Sequence, residues 1–274
     1  MKSRIIAGLV ILLICCVFIV IAYSTQQSTI SGGNRVQKAL SKISKEDYAQ
    51  LEQLFRILFF ENYFAYTLFG SKPMTYHGAF YEQPIHVTID NPNSELIFLT
   101  NWKIWEKYSK LPEFKSENFV FIYEKRPELF GIHFISKRNI LSCVRDNIDI
   151  FKDILGSEIN PEKVLQAIET SNDIYETLGD THLLYGILFG FGTQNAIAFH
   201  QKFDLELPLP DPMPFHTEEP EDHPLPLPYF MTFFPNAETE RLQKQYANER
   251  EMILSKYSKG DFLEITLREL LGVQ

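Results

Sequence analysis

Residues Ile5 to Tyr23, IIAGLVILLICCVFIVIAY, carry no charge, and Lys2 and Arg4 stand just before them. About 19 helical residues at ~1.5 Å each come close to the ~30 Å hydrocarbon interior of a bilayer. A run this apolar is stable only in lipid or in a large core, so it governs where the rest of the chain resides. Two readings of it compete. In one it is a retained signal anchor; in the other it is a secretory signal peptide cut near Ser24, after the small residues Ala22 and Ser24. The run is longer than the usual 7–15 residues of a signal peptide core, which favours the anchor. Both readings hold the start in the cytoplasm through Lys2 and Arg4 and send the following residues across the membrane. Arg35 and Lys38 pull weakly the other way. Cys15 and Cys16 sit mid-run and read as small apolar filler.

The remaining ~250 residues suffice for one large domain. Cys143 is the single cysteine after the apolar run, so no internal disulfide can form there, and no Asn-x-Ser/Thr acceptor occurs. Both points fit the envelope of a bacterium, with the chain a single-pass protein of the inner membrane and its C-terminal domain extracytoplasmic. Without Lys2 and Arg4 the chain carries 24 basic against 35 acidic side chains, a net charge of −11. Such a surface repels phosphate backbones and excludes nucleic acid as a partner. The 23 Phe and 13 Tyr supply core material, with a surplus for a groove.

Residues 25–44 are polar, contain Gly32-Gly33, and read as a flexible tether from the 1–24 segment to a single domain over 45–274. Ser44 followed by Asp47 has the shape of a capping box. Behind it Leu51, Leu54, Phe55, Leu58 and Phe59 mark one helical face that continues through Phe69 and stops at Gly70-Ser71-Lys72-Pro73. The middle changes period: Ile85–Ile89, Glu95–Leu99, Phe119–Tyr123 and Phe130–Ile135 read as three or four short antiparallel strands, with a short helix over Asn101–Lys110. A stripe from Leu141 to Leu155 predicts a helix ending at Gly156. Pro161 predicts the first residue of another, capped by Asn160. A further helix is expected from Asp173 to Leu188, broken by Gly190-Phe191-Gly192, with Thr193 capping a short helix to Lys202. Eight of the fifteen prolines fall between Pro208 and Pro228, which must be extended. Ala237–Lys256 reads as an exposed helix, and Phe262–Leu267 as a strand or a helical turn. The fold expected is α+β, helices on a small antiparallel sheet behind one transmembrane helix, with a proline-rich strap near the C-terminus.

No catalytic signature stands out. Leu68-Phe69-Gly70 and Leu188-Phe189-Gly190 echo each other as helix endings, each with a tyrosine just upstream; two such ends brought together would place Tyr66, Gly70, Lys72 and Gly190 at a pocket. The competing reading is two ordinary glycine stops. Gly190-x-Gly192-Thr193 before a helix resembles an anion-binding turn, yet it lacks the third glycine and the strand of a dinucleotide site. Asp180-x-His182 with His200 could make a base and its orienting carboxylate, or two metal ligands with a carboxylate, with Glu61 and His77 as further polar candidates. His216 and His223 flank Glu218, Glu219, Glu221 and Asp222 and could hold a cation loosely, but structural or solvated roles are favoured for all seven histidines, and no metal or cofactor is expected. Cys143 reads as a half-buried, inert thiol. The strap could present PxxP spacing to an envelope partner, or lie across its own domain held by Phe215, Tyr229, Phe230, Phe233 and Phe234. The leading expectation is a membrane-anchored, extracytoplasmic, non-catalytic binding domain that meets lipid through Ile5–Tyr23. The alternative is a membrane-anchored hydrolase or metal-dependent enzyme using Asp180, His182 and His200, and a purely structural domain is a third reading.

Overall fold

The computed structural model describes residues 34–80, 94–125, 129–214, 224–233 and 236–273. The apolar run Ile5–Tyr23, the strand expected at Ile85–Ile89, Phe215, Phe234, and the group from His216 to His223 lie outside these residues. No helix among the described residues is long and apolar enough to cross a membrane.

Three antiparallel strands, β1 (Met74–Phe80), β2 (Phe119–Lys125) and β3 (Leu129–Ser136), form a sheet in the order β1-β3-β2. β3 pairs Ile132 with His77 on one side and with Tyr123 on the other. Alternate residues of β3 face two cores. Phe130, Ile132 and Phe134 join an aromatic core, while Ile135 joins an aliphatic one. Both faces are thereby covered by helices, which explains why β2 and β3 read as near-continuous apolar runs.

The aromatic core is built by α1 (residues 34–40), α2 (Lys45–Arg56) with the π-helical turn Ile57–Glu61 that continues it, α3 (Phe64–Leu68), α4 (Ser94–Ser109), the 3-10 turn Pro112–Phe114, and the C-terminal pair α11 (Ala237–Tyr257) and α12 (Phe262–Leu270). Phe59, Phe64 and Phe134 meet at ring distances of 5.4–6.0 Å, and Trp102 and Trp105 pack on Phe121. The aliphatic core is built by α5 (Lys137–Asp146), α6 (Ile148–Leu155), α7 (Pro161–Glu169), α8 (Ile174–Thr177), α9 (His182–Leu188) and α10 (Thr193–Phe203).

Several sequence expectations are corrected. Glu95–Leu99 is helix, not strand: α4 runs through it into the segment expected to be helical, and Phe98, Trp102 and Trp105 recur at the spacing of one buried face. Among the described residues the first strand is β1, which starts one residue after Pro73. The helix expected from Ser44 to Phe69 breaks at Asn62 and Tyr63; Asn62 Nδ2 donates to the Ile57 carbonyl (2.8 Å), and Tyr63 takes a left-handed φ of 63°. The stripe 141–155 is two helices meeting at Asn147, and Asp173–Leu188 is also two, separated by Gly179 at φ 78°. Phe262–Leu270 is a helix. Residues 34–40, expected within the tether, form α1 and bury Val36 and Ala39. Ser44, Asn160 and Asp261 cap their helices as side-chain acceptors.

The strap has two limbs. The outer one follows α10; Phe203 at the end of that helix and Leu205, Leu207 and Met213 beyond it are exposed. Lys202 Nζ holds it by donating to the Leu209 carbonyl (2.7 Å). The inner limb buries Leu225, Leu227, Phe230 and Phe233, accepts a hydrogen bond from the Tyr66 hydroxyl at the Pro226 carbonyl (3.1 Å), and pairs Thr232 with Met213 through β5 (Met231–Thr232) and β4 (Met213–Pro214). The inner limb thus belongs to the domain's own core.

Candidate functional site

α3 ends where the Tyr66 carbonyl accepts from the backbone N–H of both Gly70 (3.1 Å) and Lys72 (3.2 Å), and Pro73 prevents further helix. The chain turns straight into β1, and this tight reversal carries Lys72 inside, where it is 3% exposed. Its ammonium donates to the carbonyl of Phe189, the residue that caps the C-terminus of α9. A helix C-terminus leaves such carbonyls without intrahelical partners and favours a cation there. The rings of Phe191 and Phe189 lie 4.8 and 5.7 Å from Nζ. The two helix ends with the same Leu-Phe-Gly ending therefore meet. Tyr246 of α11 joins them from behind: its hydroxyl donates to the Gly190 carbonyl (2.7 Å) and its ring meets Tyr66 edge-on.

Lys72 borders a half-open cavity of about 400 Å³ lined by β1, α9, α10, the inner limb and the Asn62-Tyr63 break. Tyr76, Tyr185, Phe189, Phe191, Phe199 and Phe230 form its walls, and Tyr229 and Met231 stand at the strap side. Burial pushes the Lys72 amine down to about 7, against the pull of the Glu249 carboxylate. Among the described residues no carboxylate makes an ion pair with it. Glu249 accepts instead from the Ser71 N–H (3.2 Å) and from Gln245 (3.1 Å).

The histidines arrange themselves differently from the expectation. His182 and His200 come together, but on Asp204 and not on Asp180. Asp204 accepts from Nδ1 of His200 (2.6 Å), from Nδ1 of His182, and from the His182 backbone N–H (3.0 Å). An ionised carboxylate only accepts, so both rings carry their proton on Nδ1. Burial raises Asp204, and the hydrogen bonds from His200 and His182 outweigh it and hold the carboxyl below its usual value. Asp180 occupies a left-handed turn (φ 51°), where its carbonyl accepts from the Tyr175 hydroxyl (3.1 Å). Of the five polar candidates only His182 borders the cavity. Glu61 is exposed on the π turn, and His77 is held by Asn62 (2.8 Å) and by the Phe98 ring, with burial pushing it down to about 4. Asp204 was missed, although His200 and Asp204 stand at the i, i+4 spacing of helical neighbours.

The anion-binding turn is already occupied. Glu238, in the first turn of α11, accepts from the backbone N–H groups of Thr193 (3.0 Å) and Gln194 (2.7 Å), so the chain supplies its own carboxylate to the start of α10. Gly192 permits this approach; a Cβ there would lie 2.8 Å from the Glu238 carboxyl carbon. Thr193 does not cap the helix: it is the first helical residue, and its hydroxyl donates to Asn147 (2.6 Å). Cys143 is half-buried, with burial pushing its thiol up to about 12. No group of three or more His, Cys, Asp or Glu side chains among the described residues is placed to hold a metal ion. In comparisons with known proteins the chain matches no protein-family model, no curated protein and no solved structure.

Proposed function

We propose that this protein is a single-pass, membrane-anchored binding protein of a bacterial envelope, whose extracytoplasmic domain takes a small apolar molecule into the aromatic cavity. The observation that carries the reading is the cavity itself. Its volume lies within the ~300–1,000 Å³ typical of small-molecule sites, and it combines aromatic walls with few polar groups, the usual composition of such sites. The anchoring rests on the length and charge flanks of Ile5–Tyr23. The test is calorimetric titration of the full chain in lipid nanodiscs with naphthalene-2-carboxamide, a neutral aromatic probe, with empty discs subtracted. Saturable binding is expected, and Met231→Trp, which fills the strap side of the cavity, should abolish it. Absence of binding to the wild-type protein would contradict the reading.

A second reading, hydrolysis, is favoured by one observation: His182 borders the cavity while Asp204 holds its Nδ1 proton, which leaves Nε2 as a base. Turnover of p-nitrophenyl acetate that disappears in Asp204→Asn would support it.

A further inference from the structure

Lys72 is the one lysine or arginine on the cavity wall among the described residues, and the charged form of its amine lacks the usual compensation. A charged amine removed from water is costly unless a counter-ion or a full set of acceptors receives it. Here the ammonium has three N–H groups. One goes to the Phe189 carbonyl, and the aromatic faces of Phe191 and Phe189 supply weaker partners for the others. We infer that the cavity's ligand is an aromatic or otherwise apolar monocarboxylate, whose carboxylate becomes the counter-ion of Lys72 while its body lies among Tyr76, Tyr185, Phe199 and Phe230.

This deepens the binding reading above and rests on it. A single buried ammonium matches one negative charge; a phosphate dianion would leave charge uncompensated against apolar walls. The amine, pushed down to about 7 by burial, is mostly neutral at pH 8 and must take up a proton when an anion arrives. The titratable groups that face this region are Glu249 and Tyr246 on α11, His182 and Tyr185 on α9, Tyr76 on β1, and the phenols of Tyr63 and Tyr229. The Lys72→Met variant separates the lysine's contribution from theirs.

The experiment compares 2-naphthoate with its neutral isostere naphthalene-2-carboxamide, using the full chain in nanodiscs at pH 8 and buffers of different ionisation enthalpy. Naphthoate should bind at least tenfold more tightly and take up about one proton per site, whereas the carboxamide takes up none. In Lys72→Met the ratio of the two affinities should fall towards one. The wild-type protein alone also suffices, since the preference for naphthoate should decline steadily from pH 7 to pH 9.5. Equal affinities for the two probes, no proton uptake, or a preference that survives in folded Lys72→Met would overturn this inference while leaving apolar binding intact. If the carboxamide does not bind the wild-type chain, the apolar-binding reading falls and takes the inference with it.

Discussion

Lys72 shows how strongly one residue can couple burial to pH. An amine at about 7 in the folded chain and near 10.5 in the unfolded one binds fewer protons when folded throughout that interval. Unfolding takes up protons there, so stability rises with pH. Between pH 7 and 8.5 this amounts to about 1.5 kcal/mol, and Lys72→Met should flatten that part of the curve in urea unfolding. The window stops short of the region where the Cys143 thiol, raised by burial, acts in the opposite sense. His77 gives the acid counterpart. With its imidazole pushed down to about 4, the unfolded chain binds the extra proton between there and 6.5, so stability falls with acidification across that range and should fall less in His77→Phe. Gly131 is a steric case. A Cβ there would lie 2.6 Å from the Tyr76 ring, so Gly131→Ala should cost about 1–3 kcal/mol, and Tyr76→Leu in the same chain should recover part of it. None of these three effects was visible in the sequence, because each depends on what a distant segment places beside the residue.

Elements were legible where the local pattern and the tertiary environment agree. The Ser44 cap, the Pro161 start and the apolar runs of β2 and β3 all carry their cause within a few residues. α4 was misread because aromatic side chains suit a strand as well as a buried helix face, and only the three- and four-residue spacing of Phe98, Trp102 and Trp105 separates the two. The breaks at Tyr63 and Asn147 have no glycine or proline to announce them. The start of α10 illustrates capping from afar: Glu238 lies 45 residues beyond Thr193 and satisfies two of the helix's free N–H groups. Replacing Glu238 by Ala removes two charge-assisted hydrogen bonds and should cost about 1–2 kcal/mol in chemical denaturation, with Glu238→Gln retaining part of that. Gly192→Ala should cost a similar amount, since a φ of 91° strains any other residue and the Cβ displaces the same carboxylate.

At the scale of the molecule, two cores of different composition share one sheet, and the cavity opens where α9, α10 and the inner limb of the strap come together. The sequence held the parts of this site as separate hints: the Leu-Phe-Gly echo, a lysine before a proline, and a strap rich in aromatics. It could not show that Lys72 would be carried inside, or that Asp204 would draw both histidines to itself. The proposed orientation has its own test, since a periplasmic reporter fused after Gln274 should be active, and activity of a cytoplasmic reporter there would contradict it. The cavity as a binding site is tested most directly by hydrogen–deuterium exchange of the full chain with and without naphthalene-2-carboxamide. Protection confined to residues 60–78, 182–199 and 228–233 is the expected result. No protection, or protection restricted to the exposed limb at 203–213, would contradict it.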